Sequence, residues 1–184
     1  MVMHEPPCHA DDDVLVMAMP RRELYGIQGF DQDVSMVVLE SLAEESWFAE
    51  AATVLDDPEA KIVRLGLVIE REDQLLVHED GAAIHCCAIP PEVSRLAPGL
   101  GGIRRLAARA AERMMGVEGL VPVLIGYVND DAFVELRPFF LLVYRLVMKP
   151  ETAPPPQHSW VNHRHLSHCP LDAASTMVCH VLYT

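Results

Sequence analysis

An amphipathic helix set between strand-forming runs is the feature that most limits what this chain can fold into. In LAARAAERMMGVEG (106–119), Leu106, Ala107, Ala110, Ala111 and Met114 recur at the spacing of one helical face, and Gly116 ends the pattern. Upstream, KIVRLGLVIE and QLLVHE flank the charged turn REDQ and predict a hairpin, and AIHCCAI (83–89) predicts a short strand stopped by Pro90 and Pro91. Downstream, LVPVLIGYVN and FVELRPFFLLVYRLVM are apolar and β-branched or aromatic, which predicts two longer strands around Asn129-Asp130-Asp131.

The remaining segments complete the pattern. VLVMAM (14–19) predicts a strand closed by Pro20, and residues 35–55 predict one helix ended by Asp56, Asp57 and Pro58. HSWVNHRHL reads as a strand or extended segment, and apolar residues at 171, 174, 178, 181 and 182 predict a terminal helix. Strands before and after a helix give an α/β fold: a mixed central sheet with helices on both faces, an α/β/α sandwich. Residues 1–13 are expected to be a flexible acidic arm and 14–184 a single domain.

Composition narrows the function. The apolar fraction of 51% argues against disorder, and a net charge of −13 argues against non-specific binding to nucleic acid. No apolar run is long enough to span a bilayer, and the N-terminus has neither the basic nor the apolar region of a signal peptide, so a cytoplasmic location without membrane contact is expected. The five cysteines (8, 86, 87, 169 and 179) form no disulfide framework, and reduced buried thiols are the simpler reading.

Several segments in order resemble the Nudix superfamily, in its branch of MutT-like phosphoesterases. VLVMAMPRREL is similar to that branch's opening strand, AKIVRLGLVIEREDQLLVHED to its central hairpin, and GYVNDD with VYRLVM to the region after its catalytic helix. The resemblance spans roughly residues 14 to 183 and implies a Nudix-like fold. The family's helix carries glutamates that hold divalent cations against a diphosphate, where one cation activates the attacking water. Aligning Gly116 with the late glycine of that motif puts Arg109 on its arginine. Its glutamate positions then fall on Ala110, Arg113 and Met114. Upstream, AIPPE puts Pro90 and Pro91 where the branch has glycines, and a register shifted by one recovers only Glu112. The resemblance therefore implies a degenerate site with no catalytic residue, metal or cofactor of the family's kind.

What stands in that place is cationic. Arg105, Arg109 and Arg113 recur every four residues and stack along one helical face, with Arg104 beside them. Guanidinium forks bind phosphate but generate no hydroxide, so these arginines are the candidate ligand-binding residues for an anionic, diphosphate-type small molecule. A solvated charged face is the plainer alternative. The expected function is a non-catalytic ligand-binding or protein-interaction module, with a protein partner or homodimer possible. One alternative is a divergent hydrolase with a metal site relocated to Asp130, Asp131, Glu70 or Glu72. The other is a structural subunit of a larger assembly. His158, His163, His165, His168 and Cys169 are potential zinc ligands without an established spacing, and in an extended segment His163 and His165 would share a face. Adjacent Cys86 and Cys87 would face opposite sides of a strand, and GLGG (99–102) lacks the lysine and hydroxyl of a P-loop.

Overall fold

The structure, a computed structural model, describes residues 15–95 and 99–183, without the side chains of residues 23, 94 and 95; the expected arm at 1–13 lies outside the described residues. In chain order the elements are β1 (Leu15–Pro20), β2 (Gly29–Asp31), α1 (Met36–Glu45), β3 (Trp47–Glu50), α2 (Ala51–Leu55), β4 (Ala60–Arg71) and β5 (Gln74–His78). Then follow β6 (His85–Ala88), α3 (Leu100–Met115), β7 (Val123–Asn129), β8 (Phe139–Val147), β9 (His158–Asn162) and α4 (Ala173–Tyr183).

β4 organises the sheet, whose order is β2-β7-β8-β4-β1-β3. It runs parallel to β8 from Ile62↔Phe139 to Glu70↔Val147. Along its other edge it pairs in turn with β1 at 60–62, with β6 at 64–67 and with β5 at 70–71, all antiparallel. β9 adds to β5 alone. The sheet is mixed because β4 and β8 are joined by a crossover that contains α3, while its other pairs are antiparallel.

β4 is buried from Ala60 to Glu70 because both of its faces are covered. Val63, Leu65, Leu67 and Ile69 face a core that includes Val38 and Leu42 of α1 and Ile103, Ala107, Ala111 and Met115 of α3. Ile62 and Val68 face the opposite core, with Ala51 and Val54 of α2 and Ala174 and Val178 of α4. This is the expected α/β/α sandwich. Cys87 belongs to the first core and Cys86 to the second, as alternation on a strand requires. The four described cysteines are free thiols, and among the described residues no helix is long and apolar enough to cross a membrane.

Three segments depart from the sequence reading. The single helix expected over 35–55 is split: Ser46 is extended (φ −71°, ψ 148°), and Trp47–Glu50 forms β3 against the edge of β1. Long-range pairing overrides local helix preference there, helped by Trp47 and Phe48, which favour strands. β8 begins at Phe139 rather than near 133, because Asp130 Oδ1 accepts the amides of Ala132 and Phe133 and folds the chain into a turn. Residues 163–168 form a 3₁₀ helix, so His163 and His165 do not share a strand face.

The turn after β5 is locked onto the start of α4. Gly81 adopts φ +95° and a Cβ there would overlap the carbonyl oxygen of Pro170, while Gly81 O accepts from Asp172 N at 3.3 Å. Gly81→Ala is expected to destabilise the fold by about 2 kcal/mol or more, measured by urea denaturation.

Candidate functional site

α3 lies on the sheet through Ile103, Ala107 and Ala111, and the two small alanines let its axis approach β4 closely. Its C-terminus is set by Gly116, which adopts the left-handed conformation (φ 64°) and donates its N–H to Glu112 O. The Glu112 side chain accepts the amides of Gly119 and Leu120 at 2.8 and 3.1 Å. That carboxylate is committed to the turn after the helix, so the shifted register gains no ligand from it.

One flank of α3 forms a wall of a cleft of about 390 Å³, built from Leu106, Arg109, Ala110 and Arg113. The facing wall comes from β6 and the turn after it: Cys87, Ala88, Pro90, Glu92 and Val93. The floor is largely apolar and the rim is charged. Arg109 and Arg113 are exposed, and no carboxylate pairs with either among the described residues. Arg113 is close enough to act on Cys87, whose thiol is pushed up by burial and only partly drawn back by Arg64 and Arg113. Cys87 is therefore a protonated lining group at neutral pH and not a nucleophile.

The structure brings together two of the three expected arginines. Arg105 does not line the cleft. A repeat of four residues drifts around the helix by about 40° per step, which carries Arg105 off the flank that holds Arg113. Arg104 is also elsewhere, donating to Pro122 O at 3.0 Å. Glu92 and Val93 are cleft residues not singled out from the sequence, which marks Cys87 and Leu106 only as a strand thiol and an apolar helix residue. The place of Glu92 and Val93 depends on the 3₁₀ turn Pro91–Arg95.

The carboxylates proposed for a relocated metal site do not gather. Asp131 Oδ1 is 2.9 Å from Lys61 Nζ and 3.8 Å from Arg21 Nη1. Asp130 holds the turn at 132–133. Glu70, 2% exposed, accepts from Arg145 Nε and Nη2 at 2.6 Å and from the Tyr183 hydroxyl. Lys61 and Glu70 lie at opposite ends of β4, roughly 30 Å apart at strand rise. Glu72 occupies the hairpin turn with φ 50°. Of the candidate zinc ligands, His163 stacks on Tyr183 with ring centroids 4.0 Å apart, and Cys169 donates to His165 O. Among the described residues no group of three or more His, Cys, Asp or Glu side chains is placed to hold a metal ion. The described lining of the cleft offers Glu92 as its one carboxylate, so the residues present do not fit a cluster of carboxylate-held divalent cations.

The chain superposes on Tm1382, a proposed Nudix hydrolase known from its crystal structure, with a TM-score of 0.72, 13% identity, and 92% of this chain and 98% of that chain covered. The fold is Nudix-like. A proposed oxidoreductase from Sinorhizobium meliloti 1021 matches with a TM-score of 0.49 and 16% identity over 65% of this chain and 37% of its own. No family model matches the sequence, and no curated protein does.

Lys61 is fully buried, and burial pulls its amine down while Asp131 pulls it back up. Burial pushes the Asp131 carboxyl up, but the Lys61 and Arg21 charges outweigh that and hold it below the usual carboxylate value. The lowered Asp131 carboxyl therefore contributes stability at neutral pH that is lost as pH falls below about 4, whereas the lowered Lys61 amine costs stability while it is charged. Asp131→Ala, which strands the Lys61 charge, is expected to cost about 3 kcal/mol or more in urea denaturation at neutral pH.

Proposed function

We propose that this Nudix-fold protein binds a small anion of the diphosphate class in the α3 cleft and does not hydrolyse it through the family's metal chemistry. The observation that carries this reading is the pair Arg109 and Arg113, unpaired with carboxylate, on the flank where the family's helix presents glutamates. In a chain of net charge −13, two arginines with no carboxylate partner among the described residues, facing a concave surface, are out of keeping with the background. A guanidinium supplies fixed charge and a donor fork for phosphate oxygens, with no bound water to activate. The apolar floor of Leu106, Ala110 and Val93 suits the less polar part of such a ligand.

The hydrolase reading keeps one observation in its favour: Glu92 is a carboxylate on the same cleft. A single carboxylate beside two arginines holds a divalent cation poorly, so binding without turnover is the reading advanced.

Calorimetry with pyrophosphate, ADP and GDP, without magnesium, tests it. Binding is expected in wild type, weakened about tenfold or more by Arg113→Ala and weakened by added salt, because a charged hydrogen bond contributes on the order of 1.5–3 kcal/mol. Equal weak heats in both proteins would contradict the reading. Magnesium- or manganese-dependent turnover of these nucleotides, abolished by Glu92→Gln, would promote the hydrolase.

A further inference from the structure

Beyond the cleft, at the start of β6, imidazoles from three strands meet. His78 ends β5, His85 begins β6 and His158 begins β9. Each lies two residues from Leu76, Cys87 or Trp160, which pack on the same core, so strand alternation turns all three rings to one face of the sheet. The ring centroids of His78 and His158 are 4.7 Å apart, and those of His85 and His158 are 5.1 Å apart. His85 is 7% exposed.

Each ring commits one nitrogen to a neighbour. His85 Nε2 is 3.2 Å from Leu76 O, His158 Nδ1 is 2.7 Å from Pro156 O, and His78 Nδ1 is 2.7 Å from Asp80 Oδ1. A carbonyl oxygen only accepts, so the committed nitrogens of His85 and His158 carry their protons and the tautomers are fixed. A second proton on either ring makes a cation in contact with another imidazole. The charged groups acting on His85 are His158 from β9, and His78 and Asp80 from β5 and its turn. β4 presents Gly66 and Leu67 opposite β6 there, with no charge, and Asp172 at the start of α4 acts on Asp80.

We propose that these three imidazoles form a proton-sensitive latch. When the His85 ring takes a proton from solvent, a buried cation stands against the His158 ring, β9 parts from β5, and the start of β6 loosens. β9 is an edge strand, paired among the described residues with β5 alone, so its release breaks one ladder. Cys87, two residues from His85 on the same strand face, lines the cleft, so loosening β6 also disturbs the cleft wall; that consequence rests on the binding function proposed above, whereas the latch does not. Burial, reinforced by the charge of His158 and His78, pulls His85 from the ordinary 6.5 down to about 4. A group depressed in this way favours the folded chain fully above about pH 6.5, and the contribution drains away as pH falls toward about 4. The folding equilibrium loses up to about tenfold per pH unit over that window.

Amide hydrogen exchange at about pH 7 and about pH 5, corrected for intrinsic rates, tests the latch without reference to any ligand. The expected result is a loss of protection of about tenfold or more at β9 and the start of β6, which stay less protected than the β4–β8 ladder at both pH values. His85→Gln keeps an amide donor for Leu76 O and removes the buried ring, and it is expected to abolish most of that pH dependence. If His85→Gln does not fold, His158→Gln, which removes the neighbouring imidazole, is expected to reduce it. Protection of β9 equal to that of the β4–β8 ladder at about pH 5, or an unchanged pH dependence in the folded variant, would overturn the proposal.

Discussion

The parallel pairing of β4 with β8 is the constraint on which the rest of the structure depends. A parallel ladder requires a crossover connection, and here the crossover carries α3 over the face that β4 presents through Val63, Leu65 and Leu67. Because α2 and α4 cover the opposite face, β4 has no side left for water. The position of α3, and with it the cleft, is therefore fixed by the central ladder and not by the loops that flank the helix.

A strand buried on both faces makes any charge on it expensive unless a partner arrives. β4 carries three such charges: Lys61 and Glu70 near its ends, and between them Arg64, whose guanidinium lies 4.7 Å from the Phe139 ring. Lys61 is matched by Asp131 from the turn after β7, and Glu70 is matched by Arg145 of β8 and Tyr183 of α4. These pairs tie the sheet to the elements that close it, and they use carboxylates that sequence reasoning had offered to a metal. The cleft stands in contrast: its carboxylate is Glu92 alone, and its cations have no acidic partner among the described residues. That distribution separates the structural charges of this fold from those free to meet a ligand.

Much of this was legible in the sequence, for physical reasons that also mark where legibility ends. The β4–β5 hairpin announces itself because an apolar run, a charged turn and a second run are local signals, and α3 does so because its apolar period and terminal glycine are local too. β3 was hidden inside a helical pattern because its cause is the distant edge of β1. The cleft was half legible. Arg109 and Arg113 can be read along the helix, but the facing wall that carries Cys87 and Glu92 comes from β6 and the turn after it, which no local spacing announces. The exclusion of Arg105 follows from helical drift, which a spacing of four conceals over three residues. The histidine cluster had no local signature, since its members come from three strands.

The central proposal is that Arg109 and Arg113 on α3 hold an anionic ligand by fixed guanidinium charge, without a metal ion. The most direct measurement is a nuclear magnetic resonance titration with pyrophosphate that follows arginine Nε and backbone amide signals, with and without magnesium. The account predicts saturable shifts at Arg109, Arg113 and the Cys87–Val93 wall that need no magnesium. Shifts that require magnesium, or that map to another surface and leave both arginines still, would contradict it.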